Sequence, residues 1–231
     1  MNRSPLEYLS DPLPGVDIGN LPGKLIAIEG PDSVGRSTQV QRLRDWIEAH
    51  GHAVVHTGMA RSALTKEGIR RAKSGHTLGP LTMALFYMAD FADRLENVVI
   101  PALRAGFVVL TDRYFYSVVA RAAARHQDGE WLERVAGFAL VPHATFYLRA
   151  PVKEVVARVV CSQQQFDYWE SGMDVPYGAN RYESFVGYQE RLMEILDGMG
   201  HRFGFIVVDA TPSPEVIFGQ LRAKIESLLD D

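Results

Sequence analysis

Residues 24–47 constrain this chain more than any other stretch. Lys24-Leu-Ile-Ala-Ile-Glu29 is a short, nearly continuous apolar run, the pattern of a buried strand. Gly30-Pro31-Asp32-Ser33-Val34-Gly35-Arg36-Ser37-Thr38 follows at once, and then Val40, Leu43, Trp46 and Ile47 recur at helical spacing. Strand, glycine-bounded loop and helix in that order are the setting of a phosphate-binding P-loop, G-x-x-x-x-G-K-[S/T]. Such a loop turns successive backbone N–H groups inward as an anion nest. The helix adds its free N–H groups and the positive end of its dipole. Gly30 and Gly35 supply positive φ angles and close approach, and the Ser37 hydroxyl is the candidate Mg²⁺ ligand. One residue departs from the pattern. Arg36 stands where lysine is usual, keeping the charge but replacing a compact ammonium by a planar fork that binds phosphate oxygens in pairs.

Strands and helices then alternate. A second strand is expected at 53–57 and a helix at 62–73, with Arg61, Lys66, Arg70, Arg71 and Lys73 forming a basic, mostly solvated surface. Pro80 suits the first turn of a long helix. That helix runs through Phe86, Tyr87, Phe91 and Arg94 to about Arg104, bent or frayed near Pro101 and stopped by Gly106. The third strand, 107–111, is apolar and ends in Asp112-Arg113. An aspartate there is the usual partner of a P-loop and brings a carboxylate to Mg²⁺. Arg113 is then a phosphate clamp at the strand ends, where α/β sheets bind ligands. Helices at 117–125 and 131–140, a strand at 144–148, and helices at 151–161 and 181–199 follow. A strand at 203–208 and a helix capped by Ser213-Pro-Glu215 complete the chain. The expected fold is α/β, of P-loop NTPase type: a five-stranded parallel sheet with helices on both faces.

Residues 1–22 hold four prolines and no sustained period, and read as an extended arm, packed on the domain or a partner or else loose. Residues 23–231 form one domain. Residues 162–179 are long for a connection and read as a lid (about 161–180) or as a plain surface loop. Glu170 and Asp174 there are either solvated or carried to the site on closure. A net charge of −4 and a pI near 6.0 offer no basic field for a nucleic-acid polymer. No apolar run reaches membrane-spanning length, and no basic-then-apolar leader is visible. The single cysteine, Cys161, rules out an intrachain disulfide and fits a reducing, cytoplasmic setting. His50, His52, His56 and the other histidines lack metal-ligand spacing.

Four stretches go together. Ile28-Glu-Gly-Pro-Asp-Ser-Val-Gly-Arg-Ser-Thr-Gln39 opens the domain, and Ile100-Pro-Ala-Leu103 ends a helix shortly before the third strand. Asp112-Arg-Tyr-x-x-Ser117-x-x-Ala120 follows that strand, and Arg181-Tyr-Glu183 with Tyr188-Gln-Glu-Arg191 follows the lid. In these the chain resembles the thymidylate kinase family of P-loop nucleoside monophosphate kinases, over about residues 24 to 225. The resemblance implies transfer of the γ-phosphoryl group of ATP to dTMP, giving ADP and dTDP with Mg²⁺, by a protein that is commonly a homodimer. It implies that residues 30–38 hold the ATP phosphates and that Asp32 accepts from the acceptor's 3′-hydroxyl. Arg113 would grip the acceptor phosphate, Asp112 would organise Mg²⁺, Ser117 would lie along the acceptor site, and Asp209 and Ala210 would border adenine.

Three departures keep the details open. The family places an aromatic residue and, one helical turn on, an arginine against thymine. Counting back from Pro101 gives Tyr87 and Phe91; counting from Leu85-Phe86 gives Phe86 and Asp90. Neither supplies the arginine, and Arg94 lies one turn further on. Arg121 stands where the family often has tyrosine. The segment 162–179 contains no Arg or Lys, and Ser33 stands where relatives with such a lid carry a second P-loop arginine. Arg36, Arg158 or Arg181 would then supply the charge. The alternatives to a deoxynucleoside monophosphate kinase are a nucleotide-binding protein with impaired turnover and a kinase of free nucleosides.

Overall fold

Side chains alternate across a strand, so the apolar run at 24–29 must bury both of its faces. In the computed structural model, which describes residues 6–162 and 165–229, that run is β1 (Lys24–Glu29), the middle strand of five. It pairs in parallel with β3 (Val108–Asp112) and β4 (Ala144–Arg149). Outside them lie β2 (Val54–Gly58) and β5 (Ile206–Asp209), giving the order β2-β3-β1-β4-β5. The helices are α1 (Arg36–Ala49), α2 (Lys66–Gly75), α3 (Pro80–Arg94), α4 (Ile100–Arg104), α5 (Phe115–Ala123), α6 (Gly129–Val135), α7 (Val152–Cys161), α8 (Arg181–Phe203) and α9 (Pro214–Leu229). Leu25, Ala27, Val109 and Tyr147 face a core closed by α3, α4, α5 and α8. Ile26, Ile28, Leu110, Phe146 and Leu148 face a second, closed by α1, α7 and α9. The chain moves outward from β1 to β2, returns to β3 beside β1, then crosses to β4 on the other side. Such a switch point opens a crevice at the carboxyl ends of the central strands.

Element ends differ from expectation where tertiary contacts decide them. The helix expected to run to Arg104 is interrupted by a π turn at Leu95–Val99, where the Ile100 N–H reaches back to the Leu95 carbonyl. Pro101 has no N–H for the carbonyl four residues back, and its ring crowds that carbonyl; the widened turn relieves both. α8 runs four residues past its expected end and stops at Gly204, in the left-handed region at φ 67°. β5 therefore starts at Ile206. The helix expected at 131–140 is α6 followed by a 3₁₀ turn, Ala136–Phe138. Of the arm, residues 6–22 lie on the domain. Leu9 N–H donates to the Ala139 carbonyl at 2.7 Å, Val141 N–H to the Glu7 carbonyl at 2.8 Å, and Leu6 is buried. Residues 1–5, and 163 and 164 of the expected lid, fall outside the described residues.

The helix expected from residue 62 starts only at Lys66, because residues 60–65 fold around the buried Asp90 of α3. Its carboxylate accepts from Ala60 N–H (3.0 Å), Ser62 N–H (2.9 Å), Thr65 Oγ1 (3.0 Å) and Arg94 Nε (2.8 Å). This anchor holds the loop after β2 beside the crevice. Asp90→Ala would leave the Arg94 cation buried and unpaired. It should destabilise the protein by about 3–5 kcal/mol, read from the midpoint of urea unfolding at neutral pH; a loss below 1 kcal/mol would be inconsistent with this anchoring.

Candidate active site

β1 delivers the chain into the loop at its carboxyl end. Gly30 has φ 150°, and a Cβ there would lie 2.6 Å from the Leu148 carbonyl oxygen, so a side chain is excluded. Gly35, at φ 98°, is the N-cap of α1, and Ser33 is held at φ 57° without being glycine, a strain typical of functional loops. The loop's open side is the exposed run Gly35, Ser37 and Thr38. Arg36 folds along the loop. Its Nη1 donates to the Gly30 carbonyl at 2.8 Å and to the Pro31 carbonyl, and its Nε donates to Asp112 Oδ1 at 3.0 Å. Ser37 Oγ donates to the other oxygen of Asp112 at 2.7 Å. Burial alone would raise the Asp112 pKa, but Arg36, Arg113 and the Ser37 hydroxyl together hold it below the usual carboxylate range.

Past Asp112 the backbone enters the left-handed region at Arg113, φ 71°, which sends Arg113 into the crevice and Tyr114 into the core. Glu29, at the end of β1, secures this turn: it accepts from the Tyr114 N–H at 2.8 Å and from Ser117 Oγ at 2.5 Å. Burial pushes the Glu29 carboxyl up, against those two bonds and Arg113. Ser117 also receives Arg113 Nη1 at 3.1 Å, and that same nitrogen donates to the Gly30 carbonyl at 3.1 Å. Ser117 is thus buried behind Arg113, not along the crevice wall as expected. Arg36 and Arg113, from different elements, meet on one backbone oxygen.

Asp32 is the second carboxylate. Its Oδ1 accepts Arg113 Nη2 and Arg121 Nη2, both at 2.5 Å, and its Oδ2 accepts Arg121 Nη2 (2.6 Å) and Gln189 Nε2 (3.0 Å). A carboxylate offers about four lone-pair sites, so a sugar hydroxyl reaching Asp32 must displace one of these donors. Burial would raise its pKa, but Arg121, Arg113 and Arg36 drive it far below the ordinary value. Arg113 is pulled down to about 10, since burial and the charges of Arg36 and Arg121 outweigh Asp32 and Asp112. The pocket holds more cation than its carboxylates neutralise.

These groups line a cavity of about 240 Å³ with Met59, Arg61, Lys73, Tyr87 and Glu170. It continues into a smaller apolar recess between Pro80, Met83, Tyr87, Val118 and Trp169, and Lys73, Tyr87 and Arg121 border both. Tyr87 is therefore placed as the count from Pro101 expects. Phe91 is not: it is wholly buried, edge-on to Tyr114 with ring centres 4.9 Å apart. Arg94 is pinned on Asp90 and lines neither cavity, and Phe86 packs on α2 at Gly68. Arg158 spends its fork on the carbonyls of Val34 (2.7 Å) and Ala210, tying the loop to the end of β5. Arg181 is exposed. Asp209 is exposed and bonded to Thr211, while Ala210 is buried.

The segment expected as a lid lies over the recess. Trp169 Nε1 donates to the Lys73 carbonyl at 3.0 Å, Tyr177 OH to the Ala124 carbonyl at 2.5 Å and Ser184 Oγ to the Ser171 carbonyl at 2.7 Å. Arg125, in the turn after α5, reaches up to Asp174 Oδ2 (2.7 Å) and the Trp169 carbonyl (2.8 Å). So Asp174 is a latch, and Glu170 faces the cavity. The sequence reading gave no role to Glu29, Trp169, Arg125 or Gln189. Glu29 carried a signal, an acid closing an apolar strand; Gln189 stood in a quoted motif; the lid contacts carried none.

A glycine-bounded loop between strand and helix, opening on an arginine-lined cavity with an apolar recess beyond it, is the arrangement of a P-loop nucleoside monophosphate kinase. The family model described as "Thymidylate kinase" matches residues 28–220. The chain belongs to the thymidylate kinase family. It is 36% identical over 188 residues to "Probable thymidylate kinase 2" of Saccharolobus solfataricus, covering 81% of this chain and 88% of that protein. It is 32% identical to "Probable thymidylate kinase" of Thermococcus kodakarensis (89% and 98% covered) and 34% to "Thymidylate kinase" of Clavibacter sepedonicus (90% and 96%). Among the described residues no helix is long and apolar enough to cross a membrane, and no cluster of three or more His, Cys, Asp or Glu could hold a metal by itself.

Asp32 and burial raise the Glu170 carboxyl to about 7, against the opposing charge of Arg121. With the lid released, its value returns toward the ordinary 4.5, so closure binds a proton between these limits. Protonation therefore favours the closed lid. That contribution is complete below pH 4.5 and is lost as pH rises through about 7. Hydrogen exchange at the lid amides should be alike in wild type and Glu170→Gln at pH about 5, and slower in the variant at pH about 8; a variant-to-wild-type ratio that does not change with pH would rule this out.

Proposed function

We propose that the protein transfers the γ-phosphoryl group of ATP to the 5′-phosphate of dTMP, giving ADP and dTDP. The observation that carries this reading is the convergence of Arg36 and Arg113 on the Gly30 carbonyl, at 2.8 and 3.1 Å. One cation ends the ATP-phosphate loop and the other stands beside the acceptor cavity. Phosphoryl transfer asks a protein for little more than alignment and charge stabilisation. Residues 30–38 hold the ATP phosphates through backbone N–H groups and Arg36, with Asp209 and Ala210 bordering the adenine. Arg113 holds the acceptor phosphate in line, braced by Ser117 and Glu29. Tyr87 forms one wall for the acceptor base, and the lid excludes water from the joint.

Ser37 Oγ and Asp112 Oδ2 are hard oxygen donors at the exposed start of α1, the kind of set that takes Mg²⁺ together with substrate phosphates. They fit the ion, whose chemistry there is to neutralise charge on the phosphate oxygens. Arg113 also bears on the free-nucleoside alternative, because a nucleoside acceptor would bring no phosphate to this buried cation, whose protein anion is Asp32. A homodimer working in the cytoplasm, as the resemblance implies, belongs to the same proposal.

ADP release with ATP, Mg²⁺ and each of dTMP, dUMP, dCMP, dGMP and thymidine tests the reading, and turnover on dTMP is expected. Arg113→Ala should lower kcat/KM by on the order of 100-fold or more, while leaving ATP affinity nearly unchanged. ATP binding without turnover on any acceptor would instead leave a nucleotide-binding protein with impaired catalysis. Activity that appears only in Arg36→Lys would locate that defect in the loop.

A further inference from the structure

The place expected for a base-reading arginine holds Phe91, which is in the core, and Arg94 is committed to Asp90. The recess must take its polar groups from elsewhere. Its described lining includes three cations, Lys73, Arg121 and Arg125. Arg125 is fully engaged: Nε on Asp174, Nη1 on the Arg121 carbonyl and Tyr188 OH, Nη2 on the Trp169 carbonyl. Lys73 is only half-buried, so water can serve its ammonium.

Arg121 differs from both. Its Nη2 is shared between the two oxygens of Asp32, but its Nε is buried with no hydrogen-bond partner. A buried N–H without an acceptor is unfavourable until an oxygen is brought to it. The residue sits where the 240 Å³ cavity meets the apolar recess. For a nucleotide whose phosphate is at Arg113 and whose base is in the recess, that point is the joint between sugar and base. The first ring acceptor past the sugar in a pyrimidine is the carbonyl oxygen beside the glycosidic bond, O2.

We propose that Arg121 is the base-reading residue of this kinase, its Nε–H donating to O2 of a pyrimidine acceptor. This rests on the dTMP reading above. The assignment moves base recognition from α3 to α5. It joins base and sugar recognition through one guanidinium, whose Nη2 fixes Asp32. Thymine, uracil and cytosine share O2, and purines carry the N3 acceptor at the equivalent place, so Arg121 fixes the base by its sugar-side edge; choice among bases falls to the walls formed by Met59, Met83 and Val118.

The test is a cycle between residue and ligand atom. Wild type and Arg121→Met are compared on dTMP, 2-thio-dTMP and 4-thio-dTMP, by kcat/KM and by calorimetric affinity; sulfur accepts hydrogen bonds poorly. Losing Arg121 also disturbs Asp32, so both proteins are judged by ratios between ligands. Wild type should favour dTMP over the 2-thio analogue by about 10-fold or more, the effect of a charge-assisted hydrogen bond. Arg121→Met should treat the two nearly alike, and the 4-thio ratio should be the same in both proteins. An equal 2-thio ratio in both, or a difference that follows the 4-thio analogue, overturns the assignment. If Arg121→Met does not fold, Arg121→Lys carries the same comparison, because it keeps the charge beside Asp32 but has no Nε. Wild type that phosphorylates dTMP without a 2-thio effect defeats the Arg121 assignment alone. Wild type that neither binds nor phosphorylates dTMP defeats the parent reading and this one with it.

Discussion

The site depends on an imbalance of buried charge. Arg36, Arg113 and Arg121 stand against two carboxylates, Asp32 and Asp112, in a pocket largely screened from water. Coulomb interactions strengthen as the local dielectric falls, so the surplus is felt strongly. The arginines drive both carboxylates down; Arg113 is pulled down by burial and by the charges of Arg36 and Arg121, while Asp32 holds Arg121 up. Pairing alone would hold the guanidinium up. A buried cation that is under-neutralised by its own protein is a site prepared for an anion.

Holding like charges together requires a rigid frame, and β1 provides it. Its last residue, Glu29, ties down the turn after Asp112, and the next carbonyl, Gly30, receives two arginines. Glu29 ends the middle strand of the sheet, which has a core on each face, and Gly30 follows it directly. The strained φ at Arg113 persists because hydrogen bonds on either side over-determine it. The lid is built differently. It is held by side-chain contacts to α2, to the turn after α5 and to α8 rather than by a ladder.

What could be read in the sequence was what short-range chemistry dictates. The P-loop, the apolar strands and the Asp112-Arg113 step each declare themselves within a dozen residues, and the order of elements followed. Legibility failed where distant residues decide. Whether Phe91 or Tyr87 meets the crevice depends on the rotation of α3 about its axis, and Phe91 is claimed by Tyr114. Residues 62–65 look helical, yet Asp90, 25 to 28 residues later, captures them. Arg158 and Arg181 were both candidates for the missing lid charge, but neither faces the cavity. The arginines that do line the cavity, besides Arg36 and Arg61, come from β3's end and α5.

Arg36 is the residue at which loop and strand chemistry meet. A lysine would place one ammonium among the loop carbonyls and stop there. The arginine fork reaches in two directions, with Nη1 on Gly30 and Pro31 and Nε on Asp112, and so links the loop to β3. Asp112 then has Arg36 on one oxygen and Ser37 on the other. Of these two, Ser37 is the exposed hydroxyl that can turn away, freeing Oδ2 while Arg36 keeps Oδ1 in place. Nη2 of Arg36 has no protein partner among the described residues. On this geometry the substitution does not remove the loop's cation. It ties that cation to the carboxylate, so that Asp112 is ordered in the folding of the chain.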